Sequence, residues 1–122
     1  MRSTMTAGIL VMAVATLWAA GAAAQEGDRV FRRQCGTCHA IQPGKNGIGP
    51  SLAGVAGKPA GGVAGFDYSD ALKKSGLTWT DATLDKYLAD PKAVVPDGKM
   101  VYAGLKDDDD RKAVIDYLKT LK

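Results

Sequence analysis

The apolar positions of the chain predict a helical protein, and the clearest helix lies at the carboxyl end. Val114, Tyr117, Leu118 and Leu121 follow the i, i+3, i+4, i+7 spacing that places side chains on one helix face. Asp107 can cap this helix, and the acidic residues after it suit the positive end of the helix dipole. We therefore expect a final helix that buries one apolar stripe.

Three further segments carry the pattern of short helices. The first runs from Asp28 to about Cys38, and the second from Tyr68 to Ser75. The third begins after Thr80, which can act as its N-cap, and Pro91 ends it. The pattern as a whole predicts an all-α fold of about four to five short helices.

The segments between these helices are rich in glycine and proline. Residues 40–67 contain eight glycines and three prolines, a density that excludes a regular helix and shows no strand alternation. Residues 91–106 are predicted to be irregular for the same reason. A loop as long as 40–67 is unusual in a compact domain unless it is functional or surrounds another group. We expect it to be wrapped around a large apolar prosthetic group.

The amino-terminal residues have the pattern of a secretory signal peptide. A short basic start is followed by an apolar stretch from Ala7 to Ala20 and then by small residues up to Ala24. The pattern predicts cleavage between Ala24 and Gln25, which leaves residues 25–122 as one exported, periplasmic domain. The alternative is a retained membrane anchor, but the alanine- and glycine-rich end of the stretch makes a poor lipid-facing helix.

Charge adds little to this prediction. The chain has 16 basic and 13 acidic residues, a formal net charge of +3, and no basic run. Such a small excess gives no reason to expect nucleic-acid binding or stable membrane insertion after cleavage. We expect a monomer.

The chemistry of the chain is concentrated in Cys35-Gly36-Thr37-Cys38-His39, the Cys-x-x-Cys-His pattern of covalent haem attachment. Two cysteines about one helical turn apart can both reach the vinyl groups on one haem edge, and the adjacent imidazole can then bind the iron. A structural zinc site would need a second pair of ligands. A thiol-disulfide oxidoreductase would show strands, and a simple disulfide would leave His39 unexplained.

Met100 is the candidate for the second axial ligand of the iron. Once the predicted signal peptide is removed it is the only methionine, and His39 is the only histidine of the chain. A thioether is a soft donor that raises the reduction potential. With both axial positions filled by protein, the site favours outer-sphere electron transfer over catalysis. The alternative is a haem enzyme or gas sensor in which Met100 dissociates and opens the iron.

The chain resembles the class I c-type cytochromes, in particular the mitochondrial and photosynthetic-bacterial cytochrome c group. The resemblance covers residues 27–121 and rests, besides the haem motif, on several short motifs in order. These are Gly49-Pro50-x-Leu52-x-Gly54, Phe66-x-Tyr68-Ser69-x-Ala71, Trp79, Tyr87-Leu88, Asp90-Pro91-Lys92, Pro96-x-x-Lys99-Met100-x-x-x-Gly104 and Tyr117-Leu118. It implies the cytochrome c fold around one covalent haem c.

The resemblance also implies roles for single residues. His39 and Met100 would be the axial pair, and the carbonyl of Pro50 would accept a hydrogen bond from His39 Nδ1. Tyr68 and Trp79 would donate to a buried haem propionate. The remaining implied positions are an aromatic near the methionine sulfur, Tyr87, and the close crossing of the first and last helices at Gly27, Phe31 and Tyr117.

Three positions depart from the family pattern. Lys58 stands where many members have an arginine, and Gly98 and Leu72 replace polar residues near the haem. These departures imply a less polar pocket or more exposed propionates.

The resemblance implies a one-electron shuttle between redox proteins. The candidates are a membrane cytochrome complex or dehydrogenase on one side and an oxidase, reductase or reaction centre on the other. Lysines around the exposed haem edge would steer an acidic partner; the candidates are Lys73, Lys74, Lys92 and Lys99.

Overall fold

The computed structural model describes the backbone of residues 15–122 and the side chains of residues 21–122. The described residues form five helices and no strand, which confirms the predicted all-α class. The helices are α1 (Ala15–Gln34), α2 (Asp70–Lys73), α3 (Asp81–Ala89), α4 (Pro91–Val94) and α5 (Asp108–Thr120). A single isolated bridge joins Pro59 to Thr78. No helix in this part of the chain is both long and apolar enough to cross a membrane.

Helix α1 differs from its predicted bounds at both ends. It begins at Ala15 instead of Asp28, because the alanine-rich residues before Asp28 are strong helix formers. It ends at Gln34 instead of about Cys38, because the amides of Cys35 and Gly36 both donate to the Phe31 carbonyl (2.7 and 2.9 Å), which stops the regular ladder. The predicted signal peptide lies partly outside the described residues, and its predicted cleavage point falls within α1, so cleavage stays a prediction.

The predicted helix starts at Thr80 and Asp107 are confirmed. The Thr80 side chain accepts from the amide of Thr83 at 3.2 Å, and Asp107 accepts from the amide of Asp110 at 2.8 Å. The prediction that all of residues 91–106 are irregular was wrong. Pro91 ends α3 but also begins α4, because proline suits the first turn of a helix and Asp90 caps it.

Helices α1 and α5 pack together and form most of the core. A Cβ on Gly27 would lie 2.4 Å from the backbone oxygen of Ala113, so only glycine permits this approach. The rings of Phe31 and Tyr117 pack beside it at a tilt of 51°, with centroids 5.4 Å apart. Val30 and Val114 are fully buried in the same contact. The sequence-implied crossing of the first and last helices is therefore present.

Arg111 ties the segment before α5 to two helices. Its guanidinium donates to the carbonyl of Leu105 at 3.0 Å and to Asp85 on α3 at 2.8 Å, and it also pairs with Asp108. A buried guanidinium with several partners fixes the path of the backbone around it. The segment that follows Met100 is thus anchored where it meets α5.

Candidate haem site

The residues from Cys35 to His39 form a tight turn at the carboxyl end of α1. The amides of Cys38 and His39 both donate to the Cys35 carbonyl, at 3.1 and 3.0 Å. Both thiols are free; Cys35 is half-buried and Cys38 is exposed. Burial, and secondarily the nearby Cys38, raises the pKa of the Cys35 thiol to about 11. The turn keeps both sulfurs and the imidazole on one short piece of backbone.

The imidazole of His39 is held in one orientation. Its Nδ1 lies 2.8 Å from the carbonyl oxygen of Pro50, and since a carbonyl can only accept, Nδ1 carries the proton. Burial lowers the pKa of His39, although the Pro50 contact opposes this, so the ring is neutral. Neutral imidazole protonated at Nδ1 leaves the Nε2 lone pair available to a metal.

Gly49 provides the space for this ring. A Cβ at residue 49 would lie 2.4 Å from Cε1 and 2.7 Å from Nδ1 of His39. The backbone of residue 49 passes directly against the imidazole face, and any side chain would push the ring away. The glycine before Pro50 is thus required by the position of the histidine.

A polar cluster around the buried Ser51, which the sequence analysis missed, fixes the loop that carries Pro50. Ser51 is 2% exposed; its hydroxyl donates to the Gln42 carbonyl at 2.6 Å and its amide donates to Asn46 Oδ1 at 3.0 Å. The Asn46 side-chain amide donates a hydrogen bond to the carbonyl of Ala64 at 3.1 Å. Asn and Ser side chains often form hydrogen bonds to nearby backbone in glycine-rich turns, so the presence of both in this loop was the signal that could have predicted the cluster.

Tyr68 and Trp79 line one cavity of about 330 Å³ together with Lys58. Both aromatic rings are buried. The Tyr68 hydroxyl accepts from the Val63 amide at 3.0 Å, which leaves its own proton free to donate into the cavity. Tyr87 packs on Trp79, with ring centroids 4.9 Å apart. The structure thus brings together the two implied propionate donors and the lysine that replaces an arginine.

Met100 lies in an irregular segment between α4 and α5 and is partly buried. Lys99, beside it, donates to the carboxylate of Asp67 at 3.1 Å. On the other side, the Tyr102 hydroxyl donates to Gln34 Oε1 at 2.9 Å. The role of Met100 as an iron ligand stays a prediction.

The four candidate steering lysines are not all free charges. Lys73 pairs with Asp70 at 3.3 Å and Lys99 pairs with Asp67 at 3.1 Å. Lys92 donates to a backbone carbonyl, that of Gly98. Neutralisation of two of the four reduces the positive field that the sequence alone suggested.

The donor set and its surroundings fit a covalent haem: two free thiols and a neutral, oriented imidazole share one turn beside a loop of glycines. The model of the family described as Cytochrome c matches residues 24–122. The chain belongs to the cytochrome c family. This confirms the resemblance to class I c-type cytochromes, and the cytochrome is an electron-transfer protein with covalently bound haem and not an enzyme.

Similar proteins cover nearly all of the domain. The cytochrome is 65% identical over 88 residues to cytochrome c2 iso-2 of Magnetospirillum molischianum, covering 72% of this chain and 91% of that protein. It is 50% identical over 117 residues to cytochrome c2 of Rhodomicrobium vannielii, covering 92% and 93%. The solved structure of cytochrome cH from Methylobacterium extorquens matches with a TM-score of 0.74 at 50% identity, covering 80% of this chain and 97% of that one.

These relatives also bear on the alternatives. The matched fold confirms the predicted cytochrome c fold of short helices and long loops. Nothing in these relatives supports the alternative of a haem enzyme or gas sensor. A structural zinc site or a thiol-disulfide oxidoreductase does not agree with membership of the cytochrome c family.

Proposed function

We propose that this cytochrome is a periplasmic one-electron carrier with a single haem c attached through Cys35 and Cys38, in which His39 and Met100 would be the two protein ligands of the iron. The proposal rests on the contacts that hold the His39 ring in one orientation. Its ring lies against the glycine backbone at residue 49, and its Nδ1–H donates to Pro50 at 2.8 Å. A histidine held in this way presents Nε2 to one fixed point.

The chain's own residues would keep the iron environment constant during transfer. The haem, when bound, supplies an iron that is oxidised or reduced by one electron. His39 is neutral and Met100 is an uncharged thioether, so neither has to gain or lose a proton. The Pro50 contact prevents rotation of the imidazole. A ligand set that hardly moves favours fast transfer to and from other proteins.

The partners are redox proteins that meet the cytochrome transiently. We propose a membrane cytochrome complex or dehydrogenase as donor and an oxidase, reductase or reaction centre as acceptor. Lys74 and Lys92 are exposed and would favour an acidic partner surface. The cytochrome would act as a monomer after cleavage between Ala24 and Gln25. Mass spectrometry of the exported protein tests this cleavage, since retention of residues 1–24 would change the mass by a known amount.

The ligand set is tested with Met100→Leu, which keeps the side-chain volume but removes the sulfur. We expect the purified ferric protein to show the weak red absorption of an iron–thioether bond, and the variant to lose it. The reduced variant should bind carbon monoxide readily, whereas the unchanged protein should not.

Val101→Ala is the matched control, because Val101 is 98% exposed and adjacent to Met100. It should keep the absorption and exclude carbon monoxide. If the unchanged ferric protein lacks the red absorption, or its reduced form binds carbon monoxide freely, the proposed ligand set is wrong.

A further inference from the structure

The segment that carries Met100 has little backbone support. In the part of the chain that the structure describes, the last backbone hydrogen bond before it runs from the Gly98 amide to Val95 at 3.1 Å. The next runs from the Leu105 amide to the Leu88 carbonyl at 2.7 Å. Among the described residues, the backbone of residues 99–104 makes no hydrogen bond. Its position therefore depends on side-chain contacts and on the close approach of Gly104 to the Ala89 carbonyl.

Two side chains of this segment reach distant parts of the fold. Lys99 meets Asp67, but the two side chains are 58% and 91% exposed, and ion pairs so exposed contribute little. Tyr102 is half-buried and its ring packs against the core. Its hydroxyl donates to Gln34 Oε1 at 2.9 Å across 68 residues of sequence. Gln34 is exposed and so is this hydrogen bond, but packing already fixes the ring that presents the hydroxyl, so forming the bond costs less side-chain freedom than the Lys99–Asp67 pair does.

The position of Gln34 connects this contact to the haem-attachment motif. It is the last residue of α1 and directly precedes Cys35. The hydrogen bond thus joins the segment of the proposed methionine ligand to the helix end from which both attachment cysteines project. Opening of this segment requires the bond to break first.

We propose that the hydrogen bond between Tyr102 and Gln34 is a latch that positions Met100 and limits the entry of small ligands on that side of the iron. The inference rests on the proposed function, because it needs Met100 as the ligand. Tyr102 and Gln34 are positioning residues that act through Met100. A small nitrogen ligand such as imidazole binds only when the segment has opened.

The test is the binding of imidazole to the ferric holoprotein, followed by its visible spectrum. Tyr102→Phe removes the hydroxyl but keeps the ring, and Gln34→Leu removes the acceptor. Either change should raise the imidazole affinity roughly threefold to tenfold, the range that corresponds to loss of one hydrogen bond. The double variant should show no further increase, because both changes remove the same contact.

Tyr117→Phe is the matched control. It removes the same chemical group at the contact of α1 with α5, close to Asp28 and not in residues 99–104. We expect its imidazole affinity to equal that of the unchanged protein.

Amide hydrogen exchange supplies a second readout that needs no ligand. In Tyr102→Phe the hydrogen-bonded amides at the two ends of the segment, those of Gly98 and Leu105, should exchange faster, while those of Val114 and Ile115 in α5 stay unchanged. Faster exchange in α5 as well would indicate a general loss of stability and would overturn the latch.

The two proposals fail in different ways. If the red iron–thioether absorption is present but Tyr102→Phe binds imidazole no better than Tyr117→Phe, the latch is wrong and the proposed ligand set stands. If the absorption is absent, or Met100→Leu leaves the imidazole affinity unchanged, the ligand set is wrong and the latch with it.

Discussion

Replacement of Gly49 by alanine tests the seat of His39 directly. The new Cβ would lie 2.4 Å from Cε1 of the imidazole, so the two atoms must separate by about 1 Å to reach van der Waals contact. A shift of that size breaks the 2.8 Å hydrogen bond to Pro50. Overpacking costs about 1–3 kcal/mol and the lost hydrogen bond about 1 kcal/mol. We expect Gly49→Ala to destabilise the holoprotein by about 2–4 kcal/mol.

Gly47→Ala is the matched control for this change. Neither residue 47 nor residue 49 lies in the left-handed region, so alanine strains the backbone at neither position. A Cβ on Gly47 would meet only the Cys38 carbonyl oxygen, at an ordinary 3.8 Å. Denaturant unfolding of both holoproteins, followed by the haem absorption, gives the two free energies. Equal stabilities of the two variants would refute the claim that the glycine backbone positions the imidazole.

Three further outcomes are expected. Gly27→Ala should lower the free energy of unfolding by about 1–3 kcal/mol, because the clash with the Ala113 oxygen outweighs the gain in helix propensity; a more stable variant would contradict this. Asp107→Ala should cost roughly 0.5–2 kcal/mol in thermal unfolding with an unchanged visible spectrum, since only the cap of α5 is lost. Electron transfer to an acidic partner should slow as salt is added, and a salt-independent stopped-flow rate would exclude lysine steering.

The helices were predictable where local signals agree. At Thr80 and Asp107 a capping side chain, an apolar stripe and helix-forming residues all indicate the same start, and the structure has it. Pro91 shows the limit of such signals. A proline before a glycine-rich stretch predicts the end of a helix. Here the same residue, with Asp90 before it as a cap, also begins α4.

The chemistry of the site was predictable from the sequence, but the contacts that hold its residues in place were less so. Cys35, Cys38 and His39 stand together in sequence, so their pattern identifies the cofactor without a structure. The bond from Tyr102 to Gln34 spans 68 residues, and no local rule of spacing finds it. The Ser51 cluster has a local signal, Ser and Asn in a glycine-rich loop, but its partners are mostly backbone groups whose positions follow from the fold, so the sequence does not show which groups meet.

The contact between His39 and Pro50 spans only 11 residues, whereas Met100 follows the histidine after about sixty. Closing a short loop costs less entropy than closing a long one, so the histidine contact is the one that a partly unfolded chain keeps more easily. If Met100 is the second ligand, as proposed, partial unfolding would release the methionine from the iron before the histidine.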